Sequence, residues 1–342
     1  MKLTVRQNKF TQTSSYSLLL YGFILAIFYS IYGLGPFTNM EQKVEHREKM
    51  LEEKKMKVVD WAEGGPEHQL WPNTTLCSDY RTRFARVSSL PPRALVSYPG
   101  SGNTWVRYLV EGATGLYTGS IFNDKTILRA GHYGEGREYK DGSTIMQKTH
   151  HRSIYIERYR QYDFKWREDH VSSFEGRAVL VIRNPYKAIL SYWNFFNTKS
   201  HTNVISEGSF ESAKFRDFVF TGASRWFELL SDWLSMGKDV YLIFYEDLIQ
   251  DPVKEMRHLL HYLGLEVEEG RLSCISRHLA GSFHRAVHQK TDPFSADHHL
   301  IIDTLIRKAV KMIWEKNGNK LPTEKYEYFQ DDSVSQHKTI YI

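Results

Sequence analysis

The chain has 342 residues, 41% of them hydrophobic and 25% charged, an ordinary globular composition sufficient for one large domain or two small ones. The net charge of +5, with fifteen histidines besides, suits anionic ligands, but the basic residues form no tract of the kind that binds nucleic acid. No internal repeat or low-complexity segment stands out.

The N-terminus is the first informative element. No charged residue occurs from Phe10 to Met40, and Tyr16–Leu34 is almost continuously apolar. That length spans a hydrocarbon core of roughly 30 Å. Lys2, Arg6 and Lys9 precede it with no acid among them. This predicts a cytosolic tail at 1–15, a transmembrane signal anchor at 16–36 and a lumenal remainder. The competing reading, a cleaved signal peptide, asks for an apolar stretch of about 7–15 residues and a small-residue cleavage site, which the segment lacks. A buried core helix would show a polar face, and this run has none.

A stem is expected next, over 37–72. Glu41–Lys57 is rich in Glu, Lys and Met and reads as a solvated helix. Val44, Leu51 and Val58 recur every seven residues, but the intervening d positions are polar, so a coiled coil is only weakly encoded. Glu63-Gly64-Gly65-Pro66 breaks the segment. The domain is expected at 73–325, with a tail at 326–342. Its two cysteines, Cys77 and Cys274, would sit in an oxidising compartment, where one bridge competes with two buried thiols. Asn73-Thr74-Thr75 is the chain's one glycosylation sequon, placed where a glycan is tolerated.

From Pro92 onward, strand and helix patterns alternate. Ala94–Tyr98, Ser143–Lys148, Arg177–Ile182 and Val240–Tyr245 read as strands. Thr104–Ala113, Pro185–Asn197, Phe210–Phe220, Ser224–Ser235, Asp251–Leu263 and Asp297–Lys316 read as helices, two of them with proline near their start. The alternation predicts an α/β fold with a central, mostly parallel sheet flanked by helices. Ligands in such folds bind beyond the carboxyl ends of the strands.

One strand–helix junction has the chemistry for this. In Pro99-Gly100-Ser101-Gly102-Asn103-Thr104-Trp105, two glycines let backbone N–H groups converge on an anion. Ser101, Asn103 and Thr104 offer side-chain donors, and the helix N-terminus adds partial positive charge. The Walker pattern G-x-x-x-x-G-K-[ST] is absent, which weakens a kinase or nucleotide-hydrolase reading. A glycine-rich turn that merely caps a helix has the same local signature, so the loop alone does not decide function.

These residues carry a resemblance. Tyr98-Pro99-x-Ser101-Gly102-x-Thr104-Trp105 resembles the phosphosulfate-binding loop of sulfotransferases, which use 3'-phosphoadenylyl sulfate (PAPS). Pro99–Arg107 most resembles the WSC-domain-containing (WSCD) sulfotransferases, associated with sulfation of sialic acids. Val181-Ile182-Arg183-Asn184-Pro185 followed by Ser191-Tyr192 is similar to the family's 3'-phosphate site. Lys148-Thr149-His150 is similar to the Lys-x-His segment that carries the catalytic base of cytosolic members, and Phe244–Leu248 to the segment closing over the adenine. The blocks stand in the family's order and cover roughly 90–290.

The resemblance implies a P-loop-like sulfotransferase fold on a single-pass type II anchor in the Golgi membrane. Its substrates would be PAPS and a glycan hydroxyl, with sialic acid the pointed-to acceptor. Pro99–Trp105, Arg183, Ser191 and Tyr245 would hold the donor, with Arg285, in Gly281–Arg285, as a second 3'-phosphate ligand. Lys148 and His150 would carry the chemistry, with Glu111, His132 and Glu135 as alternative bases. Without the resemblance, His150, with His151 beside it, is more simply a structural imidazole, Arg183 a strand-end ion-pair partner and Trp105 a core aromatic.

Two departures matter. Cytosolic members carry Lys where this chain has Gly100, leaving Lys148 as the natural substitute. Two cysteines also cannot build a WSC module. No cluster has credible metal-ligand spacing, so no metal is expected. A non-catalytic glycan-binding protein and another phosphate-loop transferase remain the other classes, and self-association is left open.

Overall fold

The computed structural model describes residues 58–150, 164–200, 203, 205, 207–280 and 292–331. They all belong to one unit, 54–342, and the unit 1–53 falls outside them. The expected membrane span, the upstream stem and Arg285 therefore lie outside the described residues. Among the described residues no helix is long and apolar enough to cross a membrane.

A parallel sheet of five strands is the centre of the structure: β1 (Ala94–Ser97), β2 (Gly119–Ser120), β3 (Gln147–Thr149), β4 (Arg177–Ile182) and β5 (Asp239–Phe244), in the order β2-β3-β1-β4-β5. Register is set by pairs such as Leu95↔Lys148, Val96↔Leu180 and Leu180↔Leu242. β1 and β4 are buried almost throughout and read Ala-Leu-Val-Ser and Arg-Ala-Val-Leu-Val-Ile, as fits strands covered on both faces.

The helices are α1 (Asn103–Thr114), α2 (Lys125–Arg129), α3 (Phe164–Ser172), α4 (Pro185–Thr198), α5 (Ala213–Met236), α6 (Tyr245–Gln250), α7 (Pro252–Leu263), α8 (Glu269–Arg277) and α9 (Ala296–Asn317). Period-2 alternation divides the sheet's side chains between two layers. Val96, Leu180, Ile182, Leu242 and Phe244 enter the larger core with Ile189 and Trp193 of α4, Phe218, Trp226 and Trp233 of α5, and Ile302 and Ile306 of α9. Helices α1, α7 and α8 pack together on the other side.

Several boundaries differ from the sequence expectation. The two helices expected at Phe210–Phe220 and Ser224–Ser235 are one, α5, capped by the Ser212 side chain accepting from Phe215 N. Gly222 lies between them but does not break the helix. It lets α5 approach the loop, since a Cβ there would meet the Tyr98 hydroxyl at 2.7 Å. The strand expected over Ser143–Lys148 is shorter and later, Gln147–Thr149, because Ser143 and Ile145 bond away from it: Ala85 N donates to Ser143 O and Ile145 N to Tyr117 O. Tyr245 starts α6 instead of ending a strand.

The end of the expected stem packs on the domain. Trp61 bridges Ala85 and His68 bridges Thr82. Trp71 is buried and donates from Nε1 to Tyr108 OH at 2.8 Å. Cys77 and Cys274 form a disulfide with Cα atoms 5.8 Å apart, tying this N-terminal segment to α8. Of the expected tail, Tyr326 is buried, and Glu327 pairs with Lys187 at 2.6 Å.

Candidate active site

The connections from β1 and β4 leave in opposite directions along the sheet, so a crevice opens at the carboxyl ends of these two neighbours. A cavity of about 940 Å³ occupies this edge. Its lining includes Pro99, Gly100 and Gly102–Trp105 after β1, Lys148 and His150 on and just after β3, Arg183 after β4, Ser191 on α4 and Tyr245 after β5. All of the expected site residues that the structure describes converge here, except that Ser101 is not part of the lining surface.

The loop owes its shape to its glycines. Gly100 and Gly102 have φ of 84° and 83°, in the left-handed region that side chains disfavour. Gly102 is the N-cap of α1, and no side chain caps the helix. The first-turn N–H groups thus remain available for an anion, which the helix dipole also favours. Ser101 Oγ is buried without a hydrogen-bond partner. The hydroxyl lies beneath the cavity surface, so the loop's donors toward a ligand are its backbone N–H groups. Asn103 has a different task from the donor role expected of it. Its side-chain amide donates to Leu95 O at 3.2 Å and Ser97 Oγ at 3.1 Å, bracing the loop onto β1.

Arg183 stands beside the loop. Its Nη1 donates to Gly100 O at 2.6 Å, and its guanidinium lies 4.4 Å from the centre of the Tyr245 ring. Trp105 meets Tyr245 edge-on, with centroids 5.8 Å apart, and donates from Nε1 to Leu279 O at 2.6 Å. Trp105 is therefore a wall residue of the cavity and not part of the core. These contacts form an aromatic and cationic wall suited to a planar, negatively charged ligand.

The opposite wall is made by Phe122, Asp124, Lys148 and His150. His150 Nδ1 lies 2.9 Å from Ser97 O and 3.3 Å from Ser97 Oγ. A carbonyl can only accept, so Nδ1 carries the proton and Nε2 is the basic nitrogen. Lys148 is buried, and burial with Arg107's like charge pushes its pKa down to about 8 against the opposing carboxylates of Glu135 and Asp124. At neutral pH it remains mainly cationic.

The three alternative bases do not line the cavity. Burial works against charge on Glu111, but the His132 ring, Arg107 and the Thr118 hydroxyl outweigh it and hold the carboxyl below its usual range; the His132 contact is 3.1 Å. Glu135 likewise overcomes burial through Arg107 Nη1 at 2.5 Å and the Asp124 amide at 2.9 Å, and is also held low. Glu111, His132 and Glu135 are thus engaged with one another and with Arg107 away from the cavity lining, which leaves His150, of the four groups named as possible bases, on the cavity wall.

A lysine at position 100, as in cytosolic sulfotransferases, does not fit this loop. Even a Cβ there would lie 2.4 Å from Ala188 O and 2.9 Å from Tyr192 N. Sequence reading gave no role to Phe122 or Asp124 and none of its own to Glu246, which lies within the Phe244–Leu248 segment; all three line the cavity. Glu246 accepts from Asn184 N at 2.9 Å, and burial raises its pKa. Asp124 had one local signal: it caps α2 through Thr126 N at 2.8 Å. Phe122 had none.

Among described residues no group of three or more His, Cys, Asp or Glu is arranged to hold a metal ion.

Known proteins place the chain in a family. The sulfotransferase domain profile matches residues 91–338. A WSCD family member from Aedes aegypti is 31% identical over 215 residues, covering 61% of this chain and 62% of that protein. One from Drosophila melanogaster is 29% identical over 222 residues, covering 61% and 64%. The chain thus spans less than two thirds of the length of these relatives. Flavonol 3-sulfotransferase of Flaveria bidentis is 28% identical over 178 residues, covering 50% and 55%. The crystal structure of mouse sulfotransferase SULT7A1 complexed with PAP superposes with a TM-score of 0.39 at 17% identity, covering 67% of this chain and 85% of that one. With the profile spanning well over half of its length, the chain belongs to the sulfotransferase family.

Proposed function

We propose that this protein transfers a sulfonate group from PAPS to a hydroxyl of a glycan, with sialic acid on glycoconjugates the leading acceptor. The observation that carries the reading is the convergence, in one cavity, of an uncapped helix N-terminus, a cationic arginine–tyrosine wall and a lysine–histidine pair. The glycan acceptor rests on the likeness to WSCD proteins. The apolar N-terminal run and its basic flank support a type II anchor with the domain in the Golgi lumen, and the disulfide is consistent with an oxidising compartment.

The residues divide the work as follows. The Pro99–Trp105 backbone, at the N-terminus of α1, binds the phosphosulfate oxygens. Arg183 and Ser191 bind the 3'-phosphate, and Trp105 and Tyr245 border the adenine. His150 Nε2 takes the acceptor hydroxyl's proton while the acceptor oxygen bonds to sulfur. The bond from sulfur to the bridging oxygen breaks, and its electron pair stays on the phosphate. Lys148 and the α1 N-terminus stabilise the charge that builds there. Sulfonate transfer shares in-line displacement with phosphoryl transfer, so placed donors carry most of the catalysis.

Incubating the full-length protein in detergent with sulfur-labelled PAPS and a glycan panel tests the proposal. Label is expected on a sialylated glycan. Binding of PAP, the desulfonated product, without transfer to any acceptor would instead favour a glycan-binding protein that keeps the fold.

A further inference from the structure

Phe122 stands where the lysine and the histidine meet. Its ring is nearly parallel to the His150 imidazole, at 24° with centroids 5.4 Å apart, and Lys148 Nζ lies 5.7 Å from its centre. The residue follows closely on β2: Phe122 N donates to Ser120 Oγ at 3.0 Å, and Ser120 is buried. Two residues on, Asp124 caps α2 with its side chain, and its backbone N–H donates to Glu135 Oε1 at 2.9 Å. The backbone is therefore held on both sides of Phe122, which places its ring on the cavity wall.

The ring acts on each neighbour in a way its other contacts do not. The hydrogen bond from His150 Nδ1 to Ser97 O fixes one edge of the imidazole. A parallel aromatic face sets the plane about that edge, and with it the direction of the Nε2 lone pair. Lys148 has a flexible stem and enters a space where burial disfavours its charge. The negative face of an aromatic ring gives such an ammonium a preferred position without neutralising it.

We infer that Phe122 is a positioning residue that aligns the base His150 and the cation Lys148 with each other, through ring stacking on one and a cation–π contact to the other. Its contacts are to these two groups and not to Arg183, so it acts on turnover and leaves donor binding alone. The inference rests on the sulfonate-transfer reading for its kinetic consequence but not for its structural one.

Both consequences are measurable in the full-length protein. Phe122→Leu keeps apolar volume and removes the ring, whereas Phe122→Tyr keeps the ring. Misplacing a reacting group by about an ångström costs up to about 10²-fold, so Phe122→Leu is expected to lower kcat roughly 10- to 100-fold. KM for PAPS and PAP affinity should stay within about twofold, and Phe122→Tyr should retain most of the turnover by keeping the π face. Independently of activity, crystal structures should show the His150 ring in the same plane in the parent and in Phe122→Tyr, and turned about its Nδ1–H bond to Ser97 O in Phe122→Leu. Equal kcat in Phe122→Leu and parent, or an unmoved His150 ring, would overturn the inference. A parent protein that transfers no sulfonate would overturn the proposed function, while the orientation of the His150 ring would still decide the role of Phe122.

Discussion

An alanine at Gly100 would place its Cβ 2.4 Å from Ala188 O and 2.9 Å from Tyr192 N, backbone atoms of α4 that no rotamer change can move. The residue also sits at φ 84°. A side chain in the left-handed region costs roughly 1–2 kcal/mol, and overpacking against a rigid neighbour adds about 1–3 kcal/mol. The expected loss for Gly100→Ala is thus on the order of 2–5 kcal/mol. A shift of the loop that relieves the overlap displaces Gly100, whose O accepts from Arg183 Nη1 at 2.6 Å, so ligand affinity is expected to fall with stability. Gly65 supplies the control. Its φ is 99°, and nothing lies within 4 Å of the place a methyl would take, so Gly65→Ala bears the backbone cost alone. Urea unfolding of both variants, with calorimetric titration of PAP, separates the two effects. If Gly100→Ala is no less stable than Gly65→Ala and binds PAP normally, the close seating of the loop on α4 is wrong. The same geometry predicts that Gly100→Lys cannot restore the lysine of cytosolic relatives.

Arg183→Ala and His150→Ala should separate binding from chemistry. Loss of a charged hydrogen bond, about 1.5–3 kcal/mol, weakens PAP binding roughly ten- to a hundredfold in Arg183→Ala, whereas His150→Ala keeps PAP affinity and lowers turnover by about 10²–10⁴-fold. Normal PAP binding in the first, or full turnover in the second, refutes the corresponding assignment. For Lys148, burial and Arg107 lower the pKa to about 8, so kcat should decline as pH rises through about 8 and the cation is lost. Between that value and the unfolded lysine's roughly 10.4, the unfolded chain binds more protons, so Lys148 makes stability rise with pH; Lys148→Met should remove both the alkaline limb and that slope. Finally, the Cys77–Cys274 bridge closes a separation of 197 residues. Cys274→Ser should lose about 2–5 kcal/mol in chemical denaturation, and an unchanged midpoint would show the bridge to be dispensable.

The sheet was legible because its inner strands are buried on both faces and so read as continuous apolar runs; Arg177–Ile182 occurs with its expected bounds. The loop was legible for a related reason, since a tight turn into a helix leaves few residues besides glycine able to form it. Strand β2 was not legible. It is two residues long, Gly119–Ser120, and takes its place from pairing with β3 and from nothing in its own pattern. The single helix α5 was hidden by Gly222, whose meaning lies in a contact with Tyr98, far away in the chain.

The site shows the same division between residue type and environment. Sequence named Glu111, His132, Glu135 and His150 as groups able to take a proton, because that capacity belongs to the side chain. Which of them faces a substrate depends on partners from other elements. Arg107 on α1 occupies Glu135, Thr118 and His132 occupy Glu111, and only His150 of the four lines the cavity. Lys148 carries the point further. Its partner His150 can be read two positions along the chain, but its acidity is set first by burial and then by Arg107, which lower its pKa, against Glu135 and Asp124, which raise it, three charges drawn from separate segments. A lysine in an interior strand, lining a cavity and opposed by both signs of charge, titrates near the working pH only in that company. Removing Glu135's carboxylate would therefore alter the reaction's pH range without touching a group that meets the substrate, which separates the residues that do the chemistry from those that set the conditions for it.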